Sequence, residues 1–348
     1  MAECKQSSTY KNVNHYPKSV RDAEDVAKYH DIASVHTAVI NRLVETIWSG
    51  TACTVNLSDI PLTTSQVLDF FPNPNQINLT GLYLVLDSKT TDPEQELTLL
   101  SDFLFVLNTL VLDKHYDEDN DDVTFAHITQ GSILSSCRNL TKLVLLHHVM
   151  LDSFKTIAHC KKLGEFKSLN CSDLCNFDGL GALTDLVTLD LRECNQLTSF
   201  KSLPLLPNLR HFGVWSGELN DLPNLSLFPA LSVLVLDHLF FGKDGEQECE
   251  LDMTRSQTLE VFTITKSSGF RAINLFAQCP ALKELDVSDC KHLAVLNVNM
   301  CPNLQVLSAE NCPSLKCIAT RQCPALQAIH LKDNETIRSL RYLSSSNY

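Results

Sequence analysis

Five cysteines, Cys279, Cys290, Cys301, Cys312 and Cys323, stand eleven residues apart. An interval that strict requires each segment to return the chain to an equivalent environment, which a stack of near-identical turns provides and an ordinary globular core does not. The interval is half of a longer unit. Aligning "LKELDVSDC" from Leu282, "LQVLSAENC" from Leu304 and "LQAIHLKDN" from Leu326 gives the pattern L-x-x-L-x-L-x-x-N/C. The same pattern starts at Leu140, Leu163, Leu186, Leu209, Leu231 and Leu259, so nine starts are separated by 23, 23, 23, 22, 28, 23, 22 and 22 residues. Weaker copies start at Leu107, Leu79 and Ala52, for about twelve turns in all.

On these motifs the chain resembles the leucine-rich repeat family over roughly residues 51 to 343. The resemblance implies an α/β repeat solenoid: a leucine-rich repeat horseshoe with one long parallel β-sheet. It implies a non-catalytic scaffold whose partner is a protein, since such repeats fix an architecture and not a chemistry. The motif has its own physical logic. One strand with its return segment cannot bury its apolar side alone, so successive turns stack and share a core.

The ninth position of the repeat carries Cys171, Cys194, Cys290, Cys312 and Asn334. The family usually has an asparagine there, bonded to backbone at the turn, and a small thiol with a weak donor can take its place. A second series lies three residues before the repeat start, at Cys137, Cys160, Cys279, Cys301 and Cys323. Both are expected to form internal ladders. In the C-terminal third each half-repeat reads C-x-x-L-x-x-L/I, which predicts short extended segments on both faces and little helix in the returns.

The 348 residues exceed one usual domain, as an elongated array does. With 44% hydrophobic and 20% charged residues the chain has ample core. A net charge of −13 lacks the basic stripe of a nucleic-acid binder. No apolar run reaches the ~18–20 residues of a membrane span. The first residues lack the apolar stretch of a cleaved signal, so the expected location is the cytoplasm, or a host cytosol reached without one. Free thiols are then expected.

Around the repeats the expected organisation is an irregular segment over 1–18, a helical cap over 19–50, the array over 51–343 and a tail over 344–348. The cap rests on apolar residues at 32, 35, 39, 43 and 47, with Ser19 and Asp22 as a capping box and Gly50 as a stop. The stretch at 113–123 imitates the start of a calcium loop through Asp117, Asp119 and Asp121. Its sixth position is Asp122 where such loops need glycine, and its twelfth is Ile128 where they need glutamate, so it reads as a solvated loop. A smaller acidic insertion lies at 241–250.

No phosphate-cradling loop, dinucleotide fingerprint or H-E-x-x-H motif occurs. Zinc-type C-x-x-C pairs are absent, and the adjacent His147 and His148, with His159 and Cys160 beyond, should diverge from one another. No cofactor, metal or enzymatic activity is expected. Outward positions of the strands are the expected binding face. On the strand that starts the Leu209 repeat, His211, Gly213 and Trp215 alternate outward while Phe212 and Val214 turn in. With Arg192 and Asp237 beside Trp215, and Asp190 and Thr188 on the preceding strand, this grouping has the composition of a binding hot spot. A substrate-recognition subunit, or an effector acting on a ubiquitin or other signalling pathway, is the alternative reading.

Overall fold

The computed structural model describes residues 54–72, 77–87, 92–114, 125–129, 131–147, 149–219, 221–241, 249–252, 255–334 and 339–341. The expected helical cap and the segment before it, most of both acidic insertions, His148 and the C-terminal tail lie outside these. In chain order the strands are β1 (Thr54–Thr63), β2 (Asn78–Leu86), β3 (Thr109–Lys114), β4 (Ala126–Ile128), β5 (Lys142–Leu145), β6 (Val149–Leu151), β7 (Glu165–Ser168), β8 (Thr188–Arg192), β9 (His211–Leu219), β10 (Val233–Phe241), β11 (Cys249–Asp252), β12 (Val261–Thr265), β13 (Phe270–Asn274), β14 (Glu284–Asp286), β15 (Val295–Asn297), β16 (Val306–Ser308), β17 (Cys317–Ala319), β18 (Ala328–His330) and β19 (Ser339–Arg341).

One strand from each turn joins a twelve-stranded parallel sheet in the order β1-β2-β3-β5-β7-β8-β9-β10-β12-β14-β16-β18. The pairing register follows the sequence repeat: Phe166 meets Leu189, Leu189 meets Phe212, Phe212 meets Leu234, and Leu234 meets Phe262. The structure is thus a leucine-rich repeat solenoid. Its returns hold few helices. Among the described residues three short α-helices, α1 (Thr64–Phe70), α2 (Glu94–Leu99) and α3 (Ser101–Leu104), occupy the early turns, and 3₁₀ turns such as Phe154–Ile157 and Leu180–Ala182 follow.

From β11 onward the returns become strands, which form a second parallel sheet, β11-β13-β15-β17-β19. In that region each eleven-residue half-repeat makes one strand, β14, β16 and β18 on one side and β15, β17 and β19 on the other. This explains the cysteine interval, because each thiol marks one of two corners in a flattened coil. The residue before the corner thiol takes a left-handed backbone in Asp289, Met300, Asn311 and Gln322, and in Asp333 before Asn334. For side chains other than glycine that conformation costs on the order of 1 kcal/mol or more, so the corner bonds must hold it.

The core is one continuous cluster of leucine, cysteine and phenylalanine. Within it Phe154, Phe177 and Phe200 occupy the same place in successive turns, with ring centroids 6.3 and 6.1 Å apart and planes nearly parallel. Phe212 meets Phe177, Phe200 and Phe228 edge-on or tilted, which joins the returns to the sheet.

Candidate functional site

The parallel register brings the expected surface residues together. Arg192 pairs with Trp215 and Trp215 with Asp237 across β8, β9 and β10, while Thr188 pairs with His211 and Asp190 with Gly213. The half-exposed Trp215 folds its indole back over Gly213, where a Cβ would stand 2.1 Å from the ring. A side chain at that position would have to push the indole aside. On the other side the Arg192 guanidinium lies 4.8 Å from the indole centroid, a cation–π stack.

Two residues of the expected surface are not on it. Asp190 and Gly213 are buried even though the strand alternation points them outward. They lie in the middle row of the strand face, where longer neighbours close over them. Asp190 retains 2% of its side-chain exposure, and its Oδ1 lies 3.8 Å from Arg192 Nε, an ion pair too long for a hydrogen bond. Among the described residues both atoms are buried without a hydrogen-bond partner. Burial pushes the Asp190 carboxyl up to about 6, against the opposing pull of Arg192 and Lys167. Half-buried His211 is driven the other way, to about 4, by burial and then by Lys167, with Glu165 resisting. At neutral pH it is uncharged.

Next along the face Glu165 accepts from Lys167 at 2.8 Å and faces Lys142 at 3.3 Å. Burial works to raise its carboxyl, and the two lysines more than cancel this, leaving it below the ordinary value. Asp237 turns from Trp215 toward β12, accepting from Thr265 Oγ1 at 2.6 Å and meeting His238 Nδ1 at 2.9 Å. Further toward β2 the face becomes apolar. Tyr83, Val111, Val144 and Leu146 form a separate small cluster, and Tyr83 donates to Asp113 Oδ2 at 2.7 Å. His147 Nδ1 contacts the other oxygen of Asp113 at 2.8 Å, which raises the imidazole pKa against the effect of burial. It is thereby committed to Asp113, away from His159 and Cys160.

The raised Asp190 pKa has a definite sign. The unfolded carboxyl loses its proton first, so the folded form loses stability as pH rises from about 3.8 to about 6. Asp190→Asn should abolish that contribution and gain up to ~3 kcal/mol at neutral pH. The difference between mutant and wild-type urea-unfolding stabilities across pH 3–8 measures it. A flat difference curve would refute the assignment.

Most of the ladder positions are buried. Cys171, Cys194, Cys290 and Cys312 line one corner, and Cys279 and Cys301 line the other. Cys323 is half-buried near the end of the described array. The Cys312 thiol donates to the Val287 carbonyl of the preceding turn at 3.2 Å, and the backbone N–H of Cys290 points at its sulfur. One turn on, Asn334 makes the same pair with stronger groups: Oδ1 accepts from Cys312 N–H at 2.7 Å, and Nδ2 donates to the Ala309 carbonyl. Cysteine therefore replaces the ladder asparagine in both directions. The second corner repeats the device, with Cys301 donating to the Leu275 carbonyl at 3.8 Å and Cys323 to that of Val298 at 3.0 Å.

No family model and no curated protein matches the chain. Solved structures with a similar course include an internalin from Listeria monocytogenes, at 12% identity and TM-score 0.41 over 75% of this chain and 86% of that one. Another is a leucine-rich repeat protein from Leptospira interrogans, at 19% identity and TM-score 0.46 over 79% and 78%. The functional domain of InlJ from Listeria monocytogenes, which includes a cysteine ladder, matches at 14% identity and TM-score 0.39 over 82% of this chain and 64% of that one.

Proposed function

We propose that this chain is a non-catalytic protein-interaction module that engages a protein partner on its strand face, centred on Trp215. The observation that carries the reading is the stack of Arg192 on Trp215, half-exposed on a face whose core packing needs no tryptophan. Aromatic and arginine side chains of this kind dominate interface energies. Thr188 and His211 lie four residues back along the same strands, and Asp237 lies at the edge of the patch. Asp190 acts from beneath as the buried counter-charge of Arg192. The chemistry suits contact with a macromolecule: twelve strands at ~4.8 Å spacing give a face on the order of 55–60 Å long.

Partners captured by the intact chain should be retained far less by Trp215→Ala. Calorimetry with the purified partner should show a loss of ~2 kcal/mol or more, about 30-fold in Kd. Melting should be nearly unchanged, because Trp215 is no part of the hydrophobic core cluster. Arg192→Lys keeps the charge and removes the planar stack, so it should weaken binding by a smaller factor. Lowered melting with full affinity would show that Trp215 serves the fold and not a partner.

A further inference from the structure

Away from the strand face, three side chains that sequence spacing leaves unrelated converge on one point. His127 sits in the middle of β4, between the buried Ala126 and Ile128. Asp152 follows β6, which pairs with β4 so that His127 stands opposite Met150. Asp173 lies one turn further on, just beyond the ladder residue Cys171. The intervals of 25 and 21 residues are close to one repeat each, so the three side chains come from successive turns of the coil. Each keeps roughly two-fifths of its exposure, at 40%, 39% and 46%.

His127 Nδ1 lies 3.3 Å from Asp152 Oδ1 and 3.2 Å from Asp173 Oδ2, and the three atoms all fall within 4.8 Å of one another. Hydrogen bonding does not account for this arrangement. A ring nitrogen carries at most one hydrogen, which can satisfy one carboxylate, and here two are aimed at it. Charge-assisted N–H···O bonds contract to ~2.7–2.9 Å, and both contacts are well beyond that. Among the described residues neither aspartate carboxylate has any other ion pair or hydrogen bond to neutralise it. Two carboxylates are thus held together around one imidazole with no lysine or arginine between them.

The spacing fits a different occupant. Donor atoms at ~2.0–2.1 Å from a tetrahedral zinc are ~3.3 Å from one another; the two nitrogen–oxygen separations match this at 3.3 and 3.2 Å, and the ligand atoms of all three residues lie within 4.8 Å of one another. We propose that His127, Asp152 and Asp173 form a binding site for a divalent transition-metal ion of the zinc type. It would be held by one nitrogen and two carboxylate oxygens, with the remaining position open to water or to a side chain of another molecule. One nitrogen with two oxygens suits zinc better than calcium, which takes oxygen ligands alone and six or more of them. Half-exposed ligands on three turns make a site that clips adjacent turns together at the surface, separate from the buried thiols.

The test uses zinc and cobalt(II) alone, added to the chelator-treated full-length chain. Calorimetry should give one zinc per chain, and cobalt should give the visible absorption of tetrahedral N/O coordination without a near-ultraviolet thiolate band. Asp152→Asn and Asp173→Asn preserve shape and should each weaken zinc by at least the ~10- to 100-fold that loss of an outer partner costs. His127→Ala should abolish binding, with the far-ultraviolet spectrum confirming a folded chain. No stoichiometric binding, equal affinity in the aspartate variants, or a cobalt–thiolate band that places the metal on cysteine would each overturn the assignment.

Discussion

Cys301→Asp should destabilise the fold by ~3–5 kcal/mol, one of the two largest effects expected of a single substitution here. The thiol is fully buried at the second corner, where it makes a long contact to the Leu275 carbonyl. A carboxylate in that place would be buried, with no cation paired to it among the described residues. The native thiol already registers this environment, being pushed up to about 12 by burial and then by the neighbouring Cys323 and Cys279. Cys312→Asn provides the contrast. Asn334 shows that the corner accepts the amide in both directions, so this change should stay within about 1 kcal/mol. Urea unfolding compares the variants, with hydrogen exchange to locate the loss because long arrays need not unfold in one step. Native alkylation should label exposed Cys175 quickly and Cys301 and Cys312 slowly. Fast labelling of Cys312 would contradict the ladder.

The second large effect belongs to Phe177→Ala, expected to cost ~3–5 kcal/mol. Phe177 is in contact with three rings, Phe154 and Phe200 along the returns and Phe212 from the sheet. Truncation opens a cavity between two turns where the stacked neighbours cannot collapse, since each is held by its own turn. Phe177→Leu refills most of the volume and should cost less than half as much. Unfolding measurements on the pair read cavity against shape. Equal losses for both variants would point to ring stacking instead of filled volume.

The repeat was legible because leucine spacing reports directly on the coil. The starts at Leu107, Leu79 and Ala52 complete a count of twelve that the main sheet matches, and the half-repeats after Cys279 foretold the second sheet. The phenylalanine stack was equally readable. Phe154, Phe177 and Phe200 are 23 residues apart, a period visible once the returns are aligned as carefully as the strands. The surface was legible only in part. Alternation places Asp190 outward, but it is buried beside Arg192 and Lys167, which is a matter of side-chain length and rotamer and not of period. His127, Asp152 and Asp173 escaped because metal motifs are recognised by short spacings, and here the spacing is that of the coil itself.

The repeated corners also make the length of the molecule editable. Removing the 22 residues from Cys290 through Asn311 would splice Asp289 to Cys312, joining a left-handed corner residue to a ladder thiol as at Glu193–Cys194 and Asn311–Cys312. Cys312 would then stand where Cys290 stood, facing the Ile264 carbonyl, with Asn334 still behind it. The excision takes β15 from one sheet and β16 from the other and leaves Trp215 untouched. Insertion of a second copy works the same way in reverse. A lineage carrying this chain could therefore lengthen or shorten its recognition face by single strands, ~4.8 Å at a time, without rebuilding the core.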